Sequence, residues 1–269
     1  MNILFIGDIV GRPGRRTVRN ILSKLIFKHN INFVIANGEN AAGGAGLTKK
    51  VAEELFDIGI DCLTLGNHTW DNKEIFKFIN NEERIVRPAN YPLETPGNGF
   101  AVLEKGNIKL GIMNLLGRVF MNPLNCPFKA AEQILEELKD IVDIIIVDFH
   151  AEATSEKMAM GWFLDGKVTA VLGTHTHIQT ADDRILPGGT GYITDVGMTG
   201  PYNSILGVQP ELVIKKFITQ LPVSFKVASG ESIFNGVLLK IDEKSKKVNE
   251  IKRINIQVNT GIDEKQRNI

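Results

Sequence analysis

The sequence predicts an α/β fold on a largely parallel or mixed sheet, and two patterns predict it. Apolar runs rich in β-branched residues alternate with helix-period segments through the first two thirds of the chain, the signature of βαβ units, and most of those runs empty into a polar loop. Length agrees: 269 residues, 43% of them hydrophobic, suffice to bury a substantial core in one large domain.

In chain order, strands are expected over Asn2 to Gly7, Asn32 to Ala36, Asp61 to Leu65, Ile108 to Asn114, Asp143 to Phe149 and Thr169 to Gly173. Helices are expected over Pro13 to His29, where Pro13 suits a first turn, then Thr48 to Ile58, Asn72 to Ile79, Phe128 to Ile141 and Pro210 to Gln220. Their apolar positions recur at about the helical spacing. From Ile233 to Val258 the pattern changes to a strand, a polar turn at Glu243 to Lys246 and an antiparallel partner. No internal repeat or Pro/Ser-rich linker interrupts the chain. Residues 1–269 are therefore expected to form one domain, with the C-terminal hairpin (about 233–258) completing a second sheet and a loop-rich excursion between Arg118 and Pro127.

Lys+Arg and Asp+Glu balance at 31 each, and no block of like charge precedes the Lys-rich stretch around Lys244 to Lys247. Stable binding of a nucleic-acid polymer draws on a basic surface that neutralises phosphates, so it is not expected here, while a small phosphorylated substrate stays open. Cys62 and Cys126 form no Cys-x-x-Cys pair, which speaks against both a disulfide framework and a thiolate metal site. The first strand runs from Met1 straight into Gly7-Asp8 without a basic n-region or cleavage signal, and no apolar run approaches the roughly 20 residues of a membrane span. A cytoplasmic protein with no membrane partner is the expectation.

In a parallel α/β sheet, loops leaving the carboxyl ends of the strands converge on one rim. Polar residues stand at five such ends: Asp8; Asn37-Gly38-Glu39-Asn40; Gly66-Asn67-His68; His150; and His175-Thr176-His177. Taken singly, each has a bland explanation: an Asp after a strand is usually a cap or turn residue, Asn-Gly is an ordinary turn, and a lone strand-end His is more often structural. Together they hold four of the chain's five histidines. Two divalent ions about 3.5–4 Å apart need carboxylate and imidazole ligands and one bridging oxygen, and this set supplies them without a Cys. On extended backbone His175 and His177 point to the same side.

These strings resemble a known family. An upstream strand-end Asp8, Gly66-Asn67-His68, a downstream His150, and Gly173-Thr174-His175-Thr176-His177 resemble the calcineurin-like metallophosphoesterases in order and spacing. Gly7-Asp8-Ile9-Val10-Gly11, the run from Asn37 to Gly44, Gly66 to Asp71, Asp148 to Lys157 and Thr194 to Gly200 resemble the bacterial YmdB-type branch, and the likeness runs from Asn2 to about Val258. The resemblance implies a four-layer sandwich of two mixed sheets flanked by helices. It also implies a binuclear phosphodiesterase acting on 2′,3′-cyclic, and also 3′,5′-cyclic, nucleotides by attack of a metal-bound hydroxide. In that reading Asp8 and His177 hold the first ion, Asn67, His150 and His175 the second, Glu39 bridges, and His68 is the general acid.

The sequence departs from the wider superfamily at Val10, where an imidazole ligand is usual, and at Glu39, where Asp is common; Asn40 would then offer its side-chain oxygen. Exchanging nitrogen for oxygen ligands favours harder ions, which puts iron or manganese ahead of magnesium or zinc. Two competing readings are a His-x-His amidohydrolase, disfavoured because the pair comes late in the chain, and a regulatory or RNA-associated protein with little turnover. Among weaker features, Arg12, Arg15 and Arg16 read as solvated helix residues and Glu152 as either a partner of a ligand imidazole or a surface residue. Trp70 reads as a wall of the site. Trp162, within the apolar Met158 to Leu164 stretch, reads as core or as the interface of a homo-oligomer.

Overall fold

Runs such as Ile3-Leu4-Phe5-Ile6 and Ile144-Ile145-Ile146-Val147 are apolar at every position, so both faces of their strands must be covered. In the computed structural model, which describes residues 1–258, they are. The chain opens with β1 (Asn2–Ile6), β2 (Asp8–Ile9), α1 (Gly11–His29), β3 (Phe33–Asn37), α2 (Lys49–Asp57) and β4 (Cys62–Thr64). Two 3-10 turns, Lys73–Lys77 and Ile79–Asn81, lead to β5 (Ile85–Val86), β6 (Phe100–Lys105), β7 (Ile108–Leu116), α3 (Pro127–Leu138) and β8 (Ile144–His150). Then come α4 (Thr154–Leu164), β9 (Ala170–Thr174), β10 (Arg184–Ile185), β11 (Gly191–Ile193), β12 (Met198–Pro201), α5 (Pro210–Thr219), β13 (Ser232–Ile241) and β14 (Val248–Val258).

Two mixed sheets result. The first runs β2-β12-β13-β1-β3-β4-β5 with β14 on β13, and the second runs β10-β11-β9-β8-β7-β6. Side chains alternating along each strand sort into layers. Ile3 and Phe5 of β1, with Phe33 and Ile35 of β3, meet Ile112, Ile144, Ile146, Ala170 and Leu172 of the second sheet in one buried cluster. Leu4 and Ile6 face the other way, onto Val18, Leu22 and Leu25 of α1 and Leu55 of α2. On the far side, Met113, Val147 and Phe149 pack against Ala131, Ile134 and Leu138 of α3 and Met160 and Leu164 of α4. The order is helices, sheet, sheet, helices, as expected.

Two expectations need correcting. The C-terminal hairpin does not complete the second sheet: β13 pairs antiparallel with β1 from Asn2↔Lys240 to Ile6↔Gly236 and so joins the first. Along β13, Leu238 faces α1 while Val237 and Leu239 face the second sheet, so both faces of the strand are covered. The segment from Asn72 to Ile79 forms 3-10 turns instead of an α-helix, started by Asn72 Oδ1 accepting from the Glu74 N–H at 3.0 Å. The Met158 to Leu164 stretch belongs to α4, where Met160 and Leu164 are core but Trp162 is 53% exposed. Among the described residues no helix is long and apolar enough to cross a membrane.

Candidate metal centre

The connections that leave β3, β4, β8 and β9 at their carboxyl ends, and β2 beside them, meet at one rim. Gly7 makes the approach of β2 possible, because a Cβ there would fall 1.8 Å from the Gly197 carbonyl oxygen. Asp8 is thereby carried to a fully buried position.

Three donors converge around His150. Its Nε2 lies 2.9 Å from Asn67 Oδ1, 3.1 Å from Glu39 Oε1 and 3.1 Å from His175 Nδ1. Glu39, His150 and His175 have the spacing of a cation site. A second group lies alongside: the Asn40 amide is 3.2 Å from the same Glu39 Oε1 and 3.3 Å from His177 Nε2, and Asp8 Oδ1 is 3.8 Å from His177 Nε2. Asp8 Oδ1 is buried without a hydrogen-bond donor, an arrangement that costs about 1–3 kcal/mol unless something positive neutralises it. Glu39 Oε1 is common to both groups. The first group, a carboxylate, an amide oxygen and two imidazoles, has donors that fit a cation.

The surrounding contacts turn the ring nitrogens the right way. Thr174 Oγ1 donates to Asp148 Oδ1 at 2.6 Å, so it accepts from His150 Nδ1 at 2.8 Å and leaves Nε2 to the centre. Asp148 also accepts from Thr64 Oγ1 at 2.5 Å and from Asn37 Nδ2 at 3.0 Å. His177 Nδ1 donates to the Leu206 carbonyl at 3.1 Å, freeing its Nε2, and His175 turns its Nε2 to Glu152 Oε2 at 3.0 Å, freeing Nδ1. Of the two readings open for Glu152, the structure thus favours the partner of an imidazole. The sequence offered one overlooked signal for this buried support: Asp148 interrupts an otherwise apolar strand.

Charge is shared tightly among these groups. Burial disfavours the Glu39 carboxylate, but the adjacent His150 outweighs it and brings that carboxyl down to about 2. Burial likewise opposes the His150 imidazolium, yet Glu39, then Asp8 and Asp148, hold it up to about 9. Burial, reinforced by the charge on His150, pushes His175 down to about 3. Burial raises Asp8 and takes Asp148 up to about 6.

Two backbone features make room for the cluster. A Cβ on Gly66 would lie 2.4 Å from Glu39 Oε2 and 2.5 Å from His150 Nε2, so only glycine fits between them. His175 (φ 102°) and His177 (φ 66°) both adopt left-handed backbone, a conformation that costs about 1–3 kcal/mol for a residue with a side chain.

His68 stands apart from the donors. Its backbone N–H donates to Glu39 Oε2 at 2.8 Å, while its imidazole pairs with Asp71 Oδ2 at 2.7 Å and is 38% exposed. Trp70 stacks on Phe76 at 5.1 Å and meets Tyr91 edge-on, forming an aromatic group beside this loop. Val10 is buried and supplies no donor. Arg15 is not a solvated residue: it donates to the Ala41 carbonyl at 2.6 Å and pairs with Glu54. A cavity of about 430 Å³, lined by Lys139, Lys167, Lys246 and Lys247, lies at the opposite ends of β8 and β9 and touches none of these groups.

A family profile described as YmdB-like protein matches residues 4–254. The chain belongs to the YmdB-like family. A curated relative, the 2′,3′-cyclic-nucleotide 2′-phosphodiesterase of Bacillus subtilis (strain 168), is 53% identical over 254 residues, covering 94% of this chain and 96% of its own. Two solved structures each superpose with a TM-score of 0.91: a hypothetical protein from Thermus thermophilus and a protein described as a novel phosphatase from Mycoplasma pneumoniae. The first is 44% identical and covers 96% of this chain and 100% of its own; the second is 39% identical and covers 96% and 94%. The candidate site thus lies within the residues that match the YmdB-like profile.

Proposed function

We propose that this YmdB-like chain is a metal-dependent phosphodiesterase that hydrolyses small phosphodiesters, with 2′,3′-cyclic nucleotides as the principal substrate class and 3′,5′-cyclic nucleotides as a further one. The substrate class rests on the name of the Bacillus subtilis relative at 53% identity. The chemistry rests on one observation: Glu39 Oε1 lies at hydrogen-bonding distance from donors of two adjacent groups. In this reading Asn67, His150 and His175 hold one ion, Asp8, Asn40 and His177 the other, and Glu39 bridges them. Divalent ions at such a centre, iron or manganese by this donor set, supply charge neutralisation and water activated near neutral pH.

The chain's own residues then have distinct tasks. Asn40 would take the place left by Val10: its side-chain amide, whose Nδ2 here donates to Glu39 Oε1, would turn its oxygen to the ion and add a hard donor where a nitrogen ligand is absent. Thr174 and Leu206 fix the tautomers of His150 and His177. His68, oriented by Asp71, donates a proton to the departing oxygen through Nε2, the ring nitrogen that Asp71 does not engage. No covalent enzyme intermediate is needed.

Replacing Glu39 by Gln tests the bridge. Turnover of bis-p-nitrophenyl phosphate and of a 2′,3′-cyclic nucleotide is expected to vanish with the far-UV circular dichroism unchanged. Undiminished turnover by that variant would refute the bridging role.

A further inference from the structure

α4 carries two adjacent buried charges, Glu156 and Lys157, in its first turn, just after the strand that ends in His150. Each reaches a different part of the rim. Glu156 accepts from the backbone N–H groups of Arg118 and Val119. Lys157 runs its stem across β9, where a Cβ on Gly173 would lie 3.2 Å from Lys157 Cδ, and donates to Asp195 Oδ2 at 2.7 Å with both side chains buried.

Asp195 in turn holds the histidine loop. Its Oδ2 accepts from the Thr176 N–H at 2.9 Å and from Thr176 Oγ1 at 2.7 Å, and its Oδ1 accepts from the Gly197 N–H at 2.8 Å. Thr176 is the residue between His175 and His177, whose backbones both lie in the left-handed region. Two unfavourable conformations flanking one residue persist only if that residue is fixed. A neutral amide could not replace the carboxylate, because it has a single acceptor oxygen where three donors and an ammonium converge.

We propose that Lys157 and Asp195 are positioning residues for the metal centre: the buried pair clamps Thr176 and so aims His175 and His177 at their two ions. The proposal rests on reading those histidines as ligands. It predicts a loss in metal affinity separate from any loss in stability, since a buried ion pair replaced by neutral groups of similar volume often leaves stability little changed, whereas removing one partner strands a charge.

The test uses the double variant Lys157→Met/Asp195→Asn, which leaves no buried charge behind, beside Leu138→Ala, a core change remote from the rim. Both are purified metal-free with the wild type, melted, and titrated with Mn²⁺ by calorimetry, with bound manganese counted by elemental analysis. The double variant is expected to melt cooperatively and to bind Mn²⁺ about 10–100-fold more weakly than the wild type, the range seen when groups behind metal ligands are altered. Leu138→Ala is expected to bind Mn²⁺ as the wild type does despite a lower melting temperature. If the double variant binds Mn²⁺ within about twofold of the wild type, or if Leu138→Ala weakens binding as much, the clamp is structural only and the proposal is overturned. If the wild type itself takes up no manganese, the ligand reading fails first and this proposal with it.

Discussion

At the scale of the residue, the centre depends on what is small or deprotonated. Gly66 is the sharpest case, because a methyl group there would occupy the space between the Glu39 carboxylate and the His150 ring. Gly66→Ala is expected to melt within a few degrees of the wild type yet lose about 10²-fold or more in turnover, as ångström-scale misplacement of reacting groups does. Wild-type kcat in that variant would contradict the packing. His150 makes a second prediction. Held up to about 9 in the metal-stripped protein, it keeps a proton between Glu39 and His175 that a cation must displace. Binding must then release protons, and affinity must rise with pH by up to about tenfold per unit below 9 and level off above it. Calorimetry in buffers of differing ionisation enthalpy reads the release directly, and a buffer-independent heat would contradict it. Asp8, Glu39, Asn67, His150, His175 and His177 were legible as a group because polar residues after apolar runs are conspicuous. Thr174, Leu206 and Asp195 were not, since a threonine, a backbone carbonyl and a buried acid announce their role only through a neighbour that is distant in sequence.

At the scale of the element, the six strands expected in the first two thirds of the chain were legible to within two residues because runs buried on both faces are apolar throughout, while β6, largely open to solvent, was missed. Elements whose signal is split were not. The polar residues of α4 are bunched in its first turn, Thr154 to Lys157, and the apolar ones follow with Gly161 among them, so no stripe marks it. Gly161 is there because the Tyr192 ring packs against the helix: a Cβ would meet Cδ2 at 2.6 Å. Gly161→Val is therefore expected to destabilise the protein by about 1–3 kcal/mol, the range for overpacking a tight contact, in denaturant unfolding. Because α4 bears Lys157, the same variant should also weaken Mn²⁺ binding; a variant as stable as the wild type would show that the helix has slack the structure does not. The 3-10 turns after Asn72 were mistaken for an α-helix because their apolar positions share its approximate spacing, and the short strands β5, β10, β11 and β12 were invisible, being too brief to establish a period.

At the scale of the whole molecule, the four-layer order follows from the two faces of each sheet, and it is this order that gathers the strand ends on one rim. The destination of the C-terminal hairpin was misjudged because its pattern shows that both faces of β13 are buried but not which neighbour it pairs with; β1 takes it through five paired residues. That pairing locks the strand leading to Asp8, so the first and last parts of the described chain jointly set one side of the centre. Two cations bridged by Glu39 are the central proposal, and a crystal grown with Mn²⁺ tests it most directly. An anomalous difference map should show two peaks, one among Asn67, His150 and His175 and one among Asp8, Asn40 and His177, both in contact with the Glu39 carboxylate. A single peak, or two that do not share Glu39, would contradict it.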